Sequence, residues 1–104
     1  MRRRDLGQMY LVECYWPGVT EHALTLAAER ARLAALELET RGRRLAFLGS
    51  ILVPADETVF WFFDGVEKDV RLVSAQAGIQ VERVLASVRI DVVQGPGSEG
   101  GGQL

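Results

Sequence analysis

The spacing of apolar residues along the chain changes between two periods. Short segments rich in β-branched and aromatic residues, bounded by turn formers, predict four strands at residues 9–16, 45–53, 58–64 and 83–92. Between them, apolar residues recur every three or four positions, which predicts one helix ending near Thr40 and a shorter one ending at Gly78. The order of elements is therefore β-α-β-β-α-β.

Capping signals place the ends of the two helices. Thr20 is a good N-cap for the first helix, and Gly42 is a plausible residue for its C-terminal cap. Asp64 is predicted to cap the second helix, with Glu67 three residues later as in a capping box. Gly78 is predicted to end that helix.

The third strand carries large apolar side chains on both faces. Side chains alternate along a strand, so one row holds Val59, Trp61 and Phe63. Phe60 and Phe62 form the other row. A strand of this kind belongs in the centre of a sheet that is covered on both sides. The sequence does not determine which row faces the helices.

The order of elements predicts an α+β fold of the ferredoxin-like βαββαβ type. Right-handed crossovers put strands one and three in the middle of an antiparallel sheet with the order 4-1-3-2. Both helices then cover one face, and the other face is bare in a monomer. An apolar bare face usually marks an interface. We therefore expect a homodimer in which two sheets pack together as a dimeric α+β barrel.

The alternation along the outer and central strands assigns side chains to the two faces. The row Tyr10, Val12, Cys14 and Trp16 should lie under the helices, beside Val84, Ala86, Val88 and Ile90 of strand four. The open face should carry Leu11, Glu13, Arg83, Ser87 and Arg89. The candidate residues of the dimer interface are Leu11, Tyr15, Phe60, Trp61, Phe62 and Leu85.

The first helix has two apolar sides. An alanine-rich stripe suited to close packing on the sheet consists of Leu24, Ala27, Ala28, Ala31, Ala35 and Leu38. On the opposite side, among charged residues, lie Leu26, Leu33 and Leu36. These leucines are either ordinary exposed apolar residues or a second contact between subunits that stacks dimers into a larger assembly.

Composition limits the classes of function. The net charge of −2 provides no basic field for nucleic acid, and no run of 18 apolar residues could span a membrane. The basic start is not followed by an apolar core, so no secretory signal is expected. The single cysteine fits a cytoplasmic location. We predict a disordered basic arm at residues 1–8, a domain at 9–93 and a disordered glycine-rich tail at 94–104.

An ordered set of short motifs resembles a known family. The motifs are Tyr10-Leu11-Val12-Glu13, Pro17-Gly18-Val19-Thr20, the strand-two residues Leu48, Ser50, Val53 and Pro54, then Ala77-Gly78-Ile79 and Arg83-Val84. Over about residues 9–92 the chain is similar to a family of small uncharacterised ferredoxin-like proteins that includes nickel-binding members (domain of unknown function 4242). The resemblance implies a dimeric ferredoxin-like fold and, in some members, a nickel site.

The nickel-binding members are rich in histidine near strand one, and this chain is not. Its only histidine is His22, which with Glu13 and Cys14 makes a small candidate metal set. Glu13 and Cys14 are adjacent on a strand, so they point to opposite faces. We therefore predict no cofactor, with nickel implied by the resemblance alone and its site not retained.

Three polar residues could support chemistry. Glu13 on the open face, near Arg89, could bind a ligand or act as a base, or could form a structural ion pair. Cys14 is expected to be a small buried apolar residue rather than a nucleophile, and His22 a surface residue in the first helical turn.

Aromatic residues indicate a possible cavity for a small, flat apolar ligand. Tyr15, Trp16 and Trp61 could line it, or could simply form the core. The full candidate ligand set is Glu13, Tyr15, Trp61, Ser87 and Arg89. The leading hypothesis is a non-enzymatic homodimeric binding or accessory protein. The alternatives are a cofactor-independent enzyme that uses Glu13 or His22 as its acid or base, and an assembly module built on the first helix.

Overall fold

The computed structural model describes residues 8–90 of the 104-residue chain. The predicted basic arm, the glycine-rich tail and the end of the predicted fourth strand fall partly or wholly outside those residues. The β-α-β-β-α-β order is confirmed, as is a four-stranded antiparallel sheet. The elements are β1 (Met9–Tyr15), α1 (Glu21–Thr40), β2 (Ala46–Val53), β3 (Thr58–Asp64), α2 (Glu67–Gln76) and β4 (Arg83–Ser87).

The sheet has the strand order β2-β3-β1-β4, so β1 and β3 are its central strands. Val12 pairs with Trp61, and Cys14 pairs with Val59. Directly paired residues of antiparallel strands point to the same face, so these four side chains lie together. A one-residue bulge interrupts the pairing of β2 with β3 near Leu48.

Both helices pack on one face of this sheet and form the core. Val59, Trp61 and Phe63 of β3 have no exposed surface, and they contact Phe47 and the alanine-rich side of α1. The Val59/Trp61/Phe63 row is therefore the covered one, and Phe60 with Phe62 faces away. Trp61, a candidate for the dimer interface, lies on the covered face instead.

Strand β4 is shorter than the apolar pattern of residues 83–92 predicts. Val84 packs against the core, but β4 ends at Ser87, and Val88 and Ile90 are 73% and 85% exposed. The pairing explains this difference, because Ser87 lies opposite Met9, the first residue of β1. Because β1 begins at Met9, the pairing of β1 with β4 ends at Ser87.

The cap predictions hold for α1 and fail at the start of α2. The Thr20 hydroxyl accepts a hydrogen bond from the Ala23 backbone N–H at 3.0 Å, and Gly42 adopts a left-handed conformation after the last turn. Asp64 instead ends β3, and Val66 occupies the N-cap position of α2 without a side-chain cap. Strand pairing to Met9 keeps Asp64 in the sheet.

The turn that follows α1 is tied to α2 by an ion pair. Asp69 of α2 is almost fully buried, and Arg43 donates to its Oδ1 from Nη2 at 2.6 Å. A buried carboxylate requires such a partner because an unpaired charge is costly to desolvate. Arg43 therefore fixes the turn between α1 and β2 against the second helix.

Candidate functional site

The open face of the sheet is apolar at its centre. Leu11, Phe60, Phe62 and Leu85 share this face through their register and are half-buried in a single chain. At the β2 edge, Ile51 is 53% exposed. A continuous apolar surface across three strands differs from the scattered apolar residues of an ordinary protein surface.

Glu13 lies on this face and forms an ion pair. Arg83 lies directly opposite Glu13 in the β1–β4 ladder, and its Nε donates to Glu13 Oε1 at 2.6 Å. The arginine partner of Glu13 is thus Arg83 rather than Arg89. This geometry is that of a cross-strand structural pair at the edge of the sheet.

A pocket of about 400 Å³ opens at the opposite end of the same face. Its lining consists of Met9, Leu48, Phe62, Ser87, Val88 and Arg89. Ser87 and Arg89, two of the predicted ligand residues, are therefore brought together here. Glu13 lies four residues after Met9 on β1, so its side chain does not line this pocket.

The remaining predicted ligand residues lie elsewhere. Tyr15 is 50% exposed at the far end of β1, and Trp61 is buried on the covered face. The candidate set is thus divided among three places: the ion pair of Glu13, the pocket with Ser87 and Arg89, and a second cavity that both Tyr15 and Trp61 line. Alternation on a strand, with the register of its neighbours, causes this separation.

The candidate metal residues are also separated. His22 is exposed in the first turn of α1, Glu13 is on the open face, and Cys14 is buried beneath the helices. Within residues 8–90 no three or more histidine, cysteine, aspartate or glutamate side chains are grouped as a metal ion would need. The structure therefore does not bring these three side chains together within one chain.

A second cavity, of about 200 Å³, lies between the sheet and the helices. Four elements build it: the end of β1, the middle of α1, the centre of β3 and the turn between α2 and β4. The lining residues are Cys14, Tyr15, Trp16, Pro17, Ala27, Arg30, Trp61, Gly78, Ile79 and Gln80. We call this space the covered-face cavity.

The turn after α2 shapes one wall of this cavity. Gly78 is left-handed, its N–H donates to the Ala75 carbonyl, and the Ile79 N–H donates to the Ser74 carbonyl. This is the Schellman arrangement, in which the residue after the glycine folds back over the helix end. Ile79 is consequently buried and becomes part of the cavity wall.

Two polar groups lie deep in the covered-face cavity. Trp61 is fully buried, and its indole Nε1–H has no acceptor among the described residues at hydrogen-bonding distance and angle. Burial raises the pKa of the Cys14 thiol and the negative charge of Glu82 adds to that shift, while the Gln80 backbone N–H and the Trp61 indole N–H oppose it in part. The thiol is therefore protonated at neutral pH, and the polar neighbour of the indole N–H is this weak sulfur acceptor, with which it forms no full hydrogen bond.

Arg30 of α1 provides the positive charge at the cavity. Its Nε donates to the Ala77 carbonyl at 3.0 Å, which holds the guanidinium against the end of α2. No carboxylate of residues 8–90 forms an ion pair with it. The terminal nitrogens are thus not committed to a charged partner, in contrast to Arg32, which pairs with Glu29 one turn away.

Sequence reasoning identified Trp16, Tyr15 and Trp61 as aromatic cavity candidates but missed Arg30, Ile79 and Gln80. Arg30 follows Ala27 by three positions, so it borders the stripe that packs on the sheet. Its spacing from Ala27 therefore indicates, from the sequence alone, that Arg30 lies beside the packed side of α1. The positions of Ile79 and Gln80 depend on how the turn packs, which the apolar pattern does not reveal.

Comparison with known proteins shows a similarity of fold only. No family model and no curated protein matches this chain. A crystal structure of SCO4226 from Streptomyces coelicolor A3(2) superposes with a TM-score of 0.58 at 20% sequence identity, covering 81% of this chain and 99% of that one. At this identity the likeness defines the fold alone, a small α+β domain.

Neither helix of the described part of the chain could cross a membrane, since neither is both long enough and apolar enough.

Proposed function

We propose that the protein is a homodimeric binding protein whose two copies pack the open faces of their sheets together as an α+β barrel. The observation that carries the proposal is the apolar centre of that face, formed by Leu11, Phe60, Phe62 and Leu85. These side chains come from the central strands β1 and β3 and from the neighbouring edge strand β4. A second copy of the same face has the same apolar character, as a two-fold interface between identical patches requires.

The polar groups of the face are compatible with pairing. Glu13 is matched by Arg83 within one chain, so burying this edge would not strand an isolated carboxylate. The pocket beside Phe62 would then lie at the margin of the interface. Pairing of sheets also gives β3 the second cover that its two apolar rows demand.

Light scattering on the purified full chain tests the proposal. We expect a mass of about 23 kDa, twice the 11.5 kDa of one chain, at micromolar concentration. Phe62→Glu places a charge at the centre of the face and should give a folded monomer. Leu72→Glu, a matched change on α2, where Leu72 is 42% exposed, should remain dimeric.

A monomeric wild-type chain would refute the dimer. A folded Phe62→Glu variant that keeps a dimeric mass would refute this interface, since it would place the contact between subunits elsewhere.

A second candidate function is an assembly module. Leu26, Leu33 and Leu36 are 51%, 52% and 43% exposed on the outer side of α1, which is available for contacts between dimers. The enzyme alternative has less support, because neither Glu13 nor His22 lines the covered-face cavity. A binding role for that cavity needs no acid or base.

A further inference from the structure

We propose that the covered-face cavity binds a small aromatic carboxylate. This names the ligand class of the binding protein proposed above. It rests on that proposal only for the general role, because a single chain supplies every lining residue. Three features support this proposal: the indole N–H of Trp61, the guanidinium of Arg30, which has no charged partner among the described residues, and the shape of the cavity.

The polar groups around the cavity favour an acceptor. The buried Trp61 Nε1–H lacks a partner within the described chain, and a buried donor without an acceptor is costly. Arg30 adds a fixed guanidinium, which suits carboxylate oxygens because its N–H groups form a planar fork. No carboxylate side chain is among the lining residues, and the Glu82 charge that acts on Cys14 lies outside the lining.

The thiol in the cavity is consistent with this charge preference. Because burial raises the pKa of Cys14, the sulfur is neutral at pH 7 rather than a thiolate. A neutral thiol can pack beside an anionic ligand without electrostatic cost. A cationic ligand would instead meet Arg30 at the rim and find no counter-charge in the lining.

The size and walls of the cavity favour a flat aromatic body. Trp16 and Tyr15 supply exposed aromatic surface, while Trp61, Ala27 and Ile79 line the cavity with little or no exposed surface. The volume is about 200 Å³. At about 30 Å³ of liquid volume per water-sized group, the space takes about seven non-hydrogen atoms, enough for a benzene ring. Benzoate adds a carboxylate that can extend to Arg30, so it is the probe of choice.

Tryptophan fluorescence reports on this cavity specifically. The chain has two tryptophans, Trp16 and Trp61, and both line it. Titration of the full-length protein with benzoate should give a saturable change in emission. Benzamide keeps the shape without the charge and should bind about tenfold more weakly, because a charge-assisted bond to the guanidinium is lost. Benzylamine should give no saturable change.

Variants distinguish the contribution of the Arg30 charge to binding from the contribution of the cavity volume. Arg30→Gln should lower benzoate affinity about tenfold and leave benzamide affinity unchanged. Arg32→Gln, on the same helix but paired with Glu29, should leave both affinities unchanged. Ala27→Leu should fill the cavity and remove binding of both probes. Circular dichroism and the thermal midpoint establish that each variant is folded.

Some outcomes would overturn the proposal. Benzoate that binds the wild type no better than benzamide would do so without any variant, as would a folded Arg30→Gln variant with unchanged benzoate affinity. A dimeric protein that binds no benzoate would refute this ligand site but not the dimer. Benzoate binding by a protein that light scattering shows to be monomeric would refute the dimer but not this ligand site.

Discussion

Gly65 lies where the segments that precede β1 and β2 closely approach the segment that follows β3. A Cβ at this buried position would lie 2.7 Å from Leu45 Cδ1 and 2.9 Å from the Arg44 carbonyl oxygen. The Gly65 N–H also donates to the Gln8 carbonyl at 2.8 Å. Backbone contacts on both sides leave little room for the chain to move aside.

We therefore predict that Gly65→Ala lowers the free energy of unfolding by about 2–4 kcal/mol, since overpacking against backbone cannot relax easily. Gly42→Ala is the control: its left-handed φ of 84° is strained for alanine, but a Cβ there meets no atom. That change should cost about 1 kcal/mol. Urea unfolding at one protein concentration measures both, and equal losses would contradict the steric explanation.

The candidate metal trio gives a prediction about nickel. His22, Glu13 and Cys14 lie in three separate environments, and Cys14 would have to lose a proton from a buried thiol to bind a metal. We expect calorimetric titration with Ni²⁺ to show no stoichiometric binding by residues of the domain. Binding that disappears in His22→Ala would contradict this and would indicate a site shared between subunits.

At the level of single residues, the sequence predicted what depends on local geometry. Thr20 as an N-cap depends only on its neighbours in the chain. Asp64 had the right residue type and spacing for a cap, but pairing with Met9 holds it in β3. Competition between a cap and a strand is decided by tertiary contacts, which is why this prediction failed.

The strands show how far alternation determines faces. The two rows of β3 were evident from the sequence, but their assignment required the register, because both rows are aromatic. In β1 the mixture of polar and apolar residues was sufficient, and Val12 and Cys14 are buried as predicted. In β4 the apolar pattern continues past Ser87, which pairs with the first residue of β1, so within residues 83–90 the pattern alone overestimated the length of the strand.

The covered-face cavity could be predicted only in part. Its aromatic residues Tyr15, Trp16 and Trp61 were candidates from the sequence, but Tyr15 and Trp61 were assigned to the dimer interface, and the register was needed to place Trp61 on the covered face. Its charged rim and far wall come from α1 and from the turn after α2, elements far apart in the chain. Only packing of the helices on the sheet brings Arg30 within reach of the Ala77 carbonyl.

At the scale of the whole molecule, the sheet separates two surfaces with different character. One face is apolar, half-exposed and without a cover from its own chain. The other holds a small cavity, lined by the Trp61 indole donor and Arg30, under the helices. A dimer formed through the first face would leave the second unobstructed. Pairing and ligand binding can therefore be measured and disrupted independently.

The outer side of α1 lies away from both surfaces, and its leucines permit one further test. If Leu26, Leu33 and Leu36 join dimers, sedimentation velocity should show species larger than a dimer as protein concentration rises. Leu33→Glu should return the protein to a dimer, because it places a charge at the centre of that contact, while Leu72→Glu on α2 should not. Each exposed substitution should change the free energy of unfolding by less than about 0.5 kcal/mol, so dissociation would not reflect unfolding. A wild-type mass that stays at the dimer at every concentration would mean that the three leucines are ordinary exposed residues.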